Sequence, residues 1–97
     1  MTQIQRITQM EEYLNQSAAA VNALAQALEN YLAIQPQLKA LSDYYGSSQW
    51  FADCADDEAG RLPSELRRGV LSEDGAYNVL MDHQQLLTDL KQLAQSK

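Results

Sequence analysis

His83 is the chain's one imidazole and Cys54 its one thiol. With a carboxylate such as Glu11 or Asp53 they are the residue types from which acid–base or nucleophilic catalysis is assembled. Projected at about 100° per residue, His83 falls in the middle of an apolar helical stripe, between Ala76 and Leu90. Glu11 falls inside another stripe, beside Ile4 and Ala18. A polar group so placed needs a hydrogen-bonding partner, because leaving it dry and unpaired is costly. His83 is therefore read as a buried polar group bonded to a tyrosine or carboxylate, with a pH-sensing contact as the sharper alternative. Glu11 is read as a carboxylate that reaches solvent at the stripe's edge or pairs with an arginine. No nucleophile or second base is paired with either, so no catalytic residue is assigned.

Cys54 stands among Asp53, Asp56, Asp57 and Glu58. Neighbouring acids raise a thiol's pKa, so a structural thiol is expected rather than a nucleophile. The same acids fail as a calcium loop: with Asp53 as first ligand, Ala55 stands third and Glu58 stands where a glycine is required. Zinc is poorly served by one cysteine and one histidine. No glycine-rich phosphate loop, nucleophile elbow or dinucleotide fingerprint occurs. No metal or cofactor is expected, and the acids read as a solvated loop.

The richest stretch is aromatic. Tyr44, Tyr45, Trp50 and Phe51 fall within eight residues, followed by Asp53, then Arg67, Arg68 and the run Gly69-Val70-Leu71-Ser72-Glu73-Asp74. Tyrosine, tryptophan and arginine together are the usual make-up of binding hot spots. Tyr44, Tyr45, Trp50, Asp53, Arg67, Arg68 and Asp74 are accordingly the candidate binding residues. Arg68 could bridge Asp53 or Asp74.

These residues must be held by helices. Ile7, Leu14, Val21 and Leu28 recur every seven residues, flanked by the columns Met10, Leu24, Tyr31 and Ile4, Ala18, Ala25, Leu32. One long helix from Thr2 to about Ile34 follows, its stripe wide enough for two neighbours. Pro36 is expected to push Gln35 out of the helical region, ending that helix and opening the next. Gly46 stops the second helix, and Ser47 or Ser48 caps a short third one bearing Trp50, Phe51 and Cys54. Residues 56–63 read as a polar loop, and 64–68 as one helical turn. Ser72 caps a last long helix running to about Gln95, with Glu73 and Asp74 in its first turn. The expected fold is all-α: one domain over residues 1–97, with two long antiparallel helices and short helices between them packed on the pair, a small helical bundle.

Composition excludes several roles. The 97 residues carry a net charge of −6, and only Arg67 and Arg68 are adjacent cations. Nucleic acid and anionic lipid are repelled by such a surface. The most apolar stretch, residues 18–34, is interrupted by Asn22, Gln26, Glu29 and Asn30, so no membrane span is expected. With a lone cysteine and no signal-peptide pattern at the start, a cytoplasmic location is expected.

Arg6-Ile7 with Met10-Glu11, Tyr44-Tyr45, Trp50, Asp53, Leu62-Pro63, Arg68 and Gly69 to Asp74, followed by Tyr77-Asn78, resemble a family of small bacterial proteins catalogued as a domain of unknown function. The likeness covers nearly the whole chain, and the run Gly69 to Asp74 is its most specific part. It implies a bacterial, stand-alone domain and groups Glu11, Trp50, Asp53, Arg68 and Ser72 to Asp74 in one constellation. It carries no activity, cofactor or partner.

The expected function is a small, non-catalytic protein-interaction module. Its partner would be another protein or itself, a homodimer being favoured by the wide stripes of the long helices. The alternatives are an acidic inhibitor of the immunity type that neutralises a basic partner, or a small-molecule binder in which His83, Glu11 and Asp53 converge on a pocket.

Overall fold

A capping box starts the first helix. Thr2 Oγ1 accepts the Gln5 N–H at 3.1 Å, and Gln5 Oε1 accepts the Thr2 N–H at 2.9 Å. Two N–H groups at the helix start are thereby satisfied reciprocally. From there α1 runs Gln3–Ala33. In this computed structural model, which describes residues 2–96, the chain is all-α among those residues. The remaining elements are α2 (Gln35–Tyr44), α3 (Ser48–Glu58), one turn of 3-10 helix (Gly69–Leu71) and α4 (Gly75–Gln95). The chain divides into two compact units, Met1–Gln35 and Pro36–Lys97.

The first unit is a single helix of 31 residues with no buried residue. A single helix has no interior, and its large apolar residues are exposed from Ile4 to Leu32. The break after it is shorter than expected. Gln35 is not displaced from the helical region but is the first residue of α2. Only Ile34 interrupts the run, in the α region at φ −90° and ψ −3°. The carbonyl of Tyr31, in the last turn of α1, is met by the Gln35 side-chain amide, which donates to it at 2.9 Å. Pro36 is tolerated because a first-turn residue has no intrahelical acceptor for its N–H in any case.

The second unit is a chain of short elements gathered around one turn. Gly46 ends α2 in the left-handed region at φ 80°, as a C′ glycine does. Ser47 caps α3, its Oγ accepting the Trp50 N–H at 3.1 Å. α3 is longer than expected, for Asp56, Asp57 and Glu58 are its last turn rather than loop. Acids at a helix C-terminus oppose the helix dipole. Here Arg61 and Arg68 bond Asp56 and Asp57 respectively and offset that cost. Gly60, at φ 73°, provides the stop. Residues 64–68 do not form the expected helical turn. The backbone makes an isolated turn there, Leu66 donating to the Pro63 carbonyl at 3.2 Å, and the 3-10 turn follows only at Gly69.

α4 begins at Gly75, three residues later than expected, because Glu73 and Asp74 form a turn. The N-cap is therefore Asp74 and not Ser72, although Ser72 Oγ still accepts the N–H of Gly75, the first residue of the helix, at 3.0 Å. Both α3 and α4 contact the 3-10 turn. Ala76 lies beside the turn at 4 % exposure, the one buried residue among those described. Beside it lies a shallow apolar depression of about 300 Å³ lined by Leu41, Gly69, Val70, Gly75, Ala76 and Val79. No described helix is long and apolar enough to cross a membrane.

Candidate functional site

The two motif-rich stretches of the sequence are stitched to each other. A 3-10 turn leaves its carbonyls without the partners that a continuing helix would supply, and side chains from α3 meet them. The Trp50 indole Nε1 donates to the Val70 carbonyl at 3.0 Å, and the Cys54 thiol to the Leu71 carbonyl at 3.6 Å. The Tyr45 hydroxyl makes a long bond to the Glu73 carbonyl at 3.5 Å. Ser72 Oγ turns back onto the Gly69 carbonyl at 2.7 Å. Each of these rings or sulfurs has an apolar body and one polar tip, and the tip is what reaches residues 69–73, which form a strap beside α3.

The rings also pack on one another. Tyr45 and Trp50 meet edge-on with centroids 4.9 Å apart, and Trp50 and Phe51 likewise at 5.0 Å. Tyr44, Tyr45 and Trp50 are half-buried. Phe51 is not, with 61 % of its surface exposed. Adjacent helical residues cannot face the same way, so when Trp50 turns toward the strap Phe51 is directed outward.

The acids of α3 anchor the flanks. Tyr44 donates its hydroxyl to Asp53 Oδ2 at 2.5 Å. That bond, with burial and the nearby carboxylate, pushes the Tyr44 phenol up to about 12. Arg68 does not bridge Asp53 or Asp74. Its Nη1 bonds Asp57 Oδ1, its Nη2 donates to the Pro63 carbonyl at 2.5 Å and its Nε to the Leu66 carbonyl at 3.3 Å. Asp53 is already engaged by Tyr44. Asp57 lies one turn further along the same face and is the acid left for the loop that follows. The guanidinium fork closes that loop onto α3 in a way that a lysine's point charge could not.

The remaining candidates lie apart from this cluster. Arg67 and Asp74 are exposed. The Asp74 side chain makes no capping bond to α4, although its carbonyl accepts the Asn78 N–H at 2.9 Å. Glu11 is exposed on α1, and His83 is half-buried on α4. The apolar depression beside Ala76 is lined by neither Asp53 nor His83. Among the described residues, no three acids, histidines or cysteines are grouped as metal ligands.

The Cys54 thiol is pushed up, first by burial and then by Asp57, Glu58 and Asp53. It is held as a protonated donor to the Leu71 carbonyl, which is a structural state and not that of a nucleophile. Three features escaped the sequence reading: Asp57 as the acid of Arg68, the outward turn of Phe51, and the close seat of Gly75. The four-residue spacing of Asp53 and Asp57 was a signal for the first. The adjacency of Trp50 and Phe51 was a signal for the second.

Residues 7–93 match the family model described as a domain of unknown function (DUF4298), and the chain belongs to that family. No curated protein and no solved structure matches it.

Proposed function

We propose that this DUF4298 member is a non-catalytic protein-interaction module, acting in the bacterial cytoplasm. One observation carries the reading. In the central segment the polar tips of Tyr44, Trp50, Cys54 and Arg68 are bonded to the chain's own acids and carbonyls, while Phe51 is left 61 % exposed beside them. Groups so engaged serve as a frame for a surface. What that frame presents to solvent is a large ring, with Leu66 and the Arg67 guanidinium also exposed in the same unit. An exposed aromatic on a braced support is the kind of group that anchors an interface. A cytoplasmic setting accords with a single, unpaired cysteine held reduced.

The test is affinity capture from bacterial lysate with the full chain and with a Phe51→Ala, Arg67→Ala variant, each at low and at high salt. The expected result is a captured protein that persists at high salt and is lost with the double variant. Capture that vanishes with modest salt and ignores the double variant would instead support the acidic-inhibitor reading, since screening weakens charge-driven association. The double variant should keep the helical circular dichroism of wild type, because Phe51 is largely exposed and meets the frame only at the edge of Trp50, and Arg67 is exposed.

A further inference from the structure

We propose that the strap and the start of α4 form a two-state conformational switch, set by the donor that the Glu73 carbonyl accepts. In the docked state, the one seen here, that donor is the Tyr45 hydroxyl at 3.5 Å. In the released state it is the Tyr77 N–H, four residues on, and α4 begins at Glu73. The inference goes beyond the interaction-module reading and does not depend on it.

Local sequence and tertiary bonding disagree at this point. A serine followed by two acids favours a helix start, yet α4 starts only at Gly75. Ser72 nevertheless keeps the extended backbone of a capping residue, at φ −75° and ψ 153°. Its Oγ accepts the Gly75 N–H, the third position of a helix begun at Glu73. Asp74 is already in the α region, at φ −97° and ψ −25°. Bonds from Ala76 to the Ser72 carbonyl and from Tyr77 to the Glu73 carbonyl would complete the helix that Ser72 is set to cap. A local preference overridden in this way marks a strained or functional position.

The hold that overrides it is light. The strap's backbone bonds are local, Leu71 to Arg68 and Ser72 to Gly69. Side-chain tips tie it to its neighbours: the Trp50 indole at 3.0 Å, the Cys54 thiol at 3.6 Å, and Tyr45, just past the end of α2, at 3.5 Å. Loss of one ordinary hydrogen bond shifts an equilibrium roughly two- to tenfold. States separated by a few such bonds coexist, the minor one at about 0.1–10 %.

Strap and helix are also coupled. Ser72 Oγ donates to the Gly69 carbonyl at 2.7 Å while it accepts the Gly75 N–H. Winding Glu73 and Asp74 into α4 turns the Glu73 carbonyl along the helix axis, off Tyr45 and onto Tyr77. Tyr45 packs edge-on against Trp50, so whatever engages that ring pair is felt at the start of α4, and the reverse.

The experiment is NMR relaxation dispersion with Cα chemical shifts, on the full chain and on Tyr45→Phe, which removes the hydroxyl and keeps the ring. Wild type should show exchange from Glu73 to Tyr77 in the microsecond-to-millisecond range. In Tyr45→Phe the released population should rise roughly two- to tenfold. The Cα shifts of Glu73 and Asp74 should then move toward helical values, and the Tyr77 amide should exchange more slowly with solvent. Trp50→Phe should move the same signals in the same direction, and it decides the matter if Tyr45→Phe does not fold. Signals of Glu73, Asp74 and Tyr77 that are the same in wild type and both variants overturn the proposal. So does a wild type in which Glu73 is already fully helical, because α4 then has one start. Failure of lysate capture leaves all these signals unmoved, so loss of the interaction module and loss of the switch are told apart.

Discussion

Asp53 and Asp57 stand four residues apart on α3, and their bonds run in opposite directions along the chain, Asp53 back to Tyr44 on α2 and Asp57 forward to Arg68 in the following loop. One face of a short helix thus ties together the segments on either side of it. The Asp57–Arg68 pair carries more, because Arg68 also bonds the carbonyls of Pro63 and Leu66. Arg68→Ala removes the donor of a half-buried carboxylate and of the Leu66 carbonyl, and one of the two donors to the Pro63 carbonyl. Charge-assisted hydrogen bonds contribute about 1.5–3 kcal/mol each when fully buried, and partial exposure reduces that. The expected loss is about 2–3 kcal/mol in urea denaturation followed by the fluorescence of the sole tryptophan, Trp50. Arg68→Lys should recover less than half of it. Wild-type stability in Arg68→Ala would mean that the loop is held by something else.

The Tyr44–Asp53 bond makes a pH prediction whose sign is fixed by the direction of the shift. The phenol must keep its proton to donate it, and its pKa in the folded chain is about 12 against an ordinary value of about 10. The stabilisation is complete below pH ~10, declines above it, and is gone once the pH has risen through the folded value. Tyr44→Phe should therefore melt a few degrees below wild type at neutral pH. The two melting curves should converge as the pH rises from about 10 to 12. In an ultraviolet titration, one of the five tyrosines should ionise near 12, and the Phe variant should lack that step. A difference that persists unchanged at pH ~12 would show that the protonated hydroxyl's bond to Asp53 is not its source.

How far the sequence revealed this arrangement depends on whether a feature is local. α1 was legible nearly to the residue, Gln3–Ala33 against the expected Thr2 to about Ile34, because thirty residues of helical periodicity are a local signal. Gly46 and Ser47 were legible for the same reason, each serving the turn or cap its chemistry suits, whereas the N-cap of α4 is Asp74 and not the expected Ser72. The pairing of Arg68 was not. Four acids of α3 lie within six residues, and the choice among them is made by which of them Tyr44 has already engaged. The C-terminal half of α3 was misread as loop because its acids oppose the helix dipole. Their compensation by Arg61 and Arg68 comes from residues outside the helix. Trp50 was recognised as important, yet whether its indole faces solvent or strap was settled by the Val70 carbonyl, twenty residues away.

Cys54 tests the same frame from the chemical side. Its thiol is raised by burial above all, then by Asp57, Glu58 and Asp53, and only the thiolate attacks an alkylating agent. The native chain at pH 7.5 should react with iodoacetamide more slowly than a small model thiol. Its rate–pH profile should be displaced toward alkaline pH, and unfolding in urea should remove the displacement. Trp50→Phe, which deletes the neighbouring bond to the strap, should accelerate the native reaction by loosening the cover over the sulfur. A native rate equal to the unfolded one would show that α3 does not hold Cys54 against the 3-10 turn.

Gly75 and Gly69 provide the sharpest contrast, since propensity and packing predict opposite signs. Gly75 is the first residue of α4, and in general Gly→Ala in a helix gains up to about 1 kcal/mol. A β-carbon on Gly75, however, would collide with the Gly69 carbonyl oxygen and stand 2.7 Å from Ser72 Oγ. The first is backbone and cannot swing away. The second accepts the Gly75 N–H, a cap-type bond whose loss costs about 1 kcal/mol, and overpacking adds roughly 1–3 kcal/mol. The clash outweighs the propensity, so Gly75→Ala should destabilise the chain by about 1–3 kcal/mol and fray the start of α4. Gly69 has nothing within 4 Å of the corresponding position and no left-handed φ. Gly69→Ala should therefore lie within about 0.5 kcal/mol of wild type. Parallel urea titrations of the two variants decide the point. If Gly75→Ala proves the more stable of the pair, the 3-10 turn does not press on the end of α4, and the strap that Trp50, Cys54 and Tyr45 reach is not anchored there.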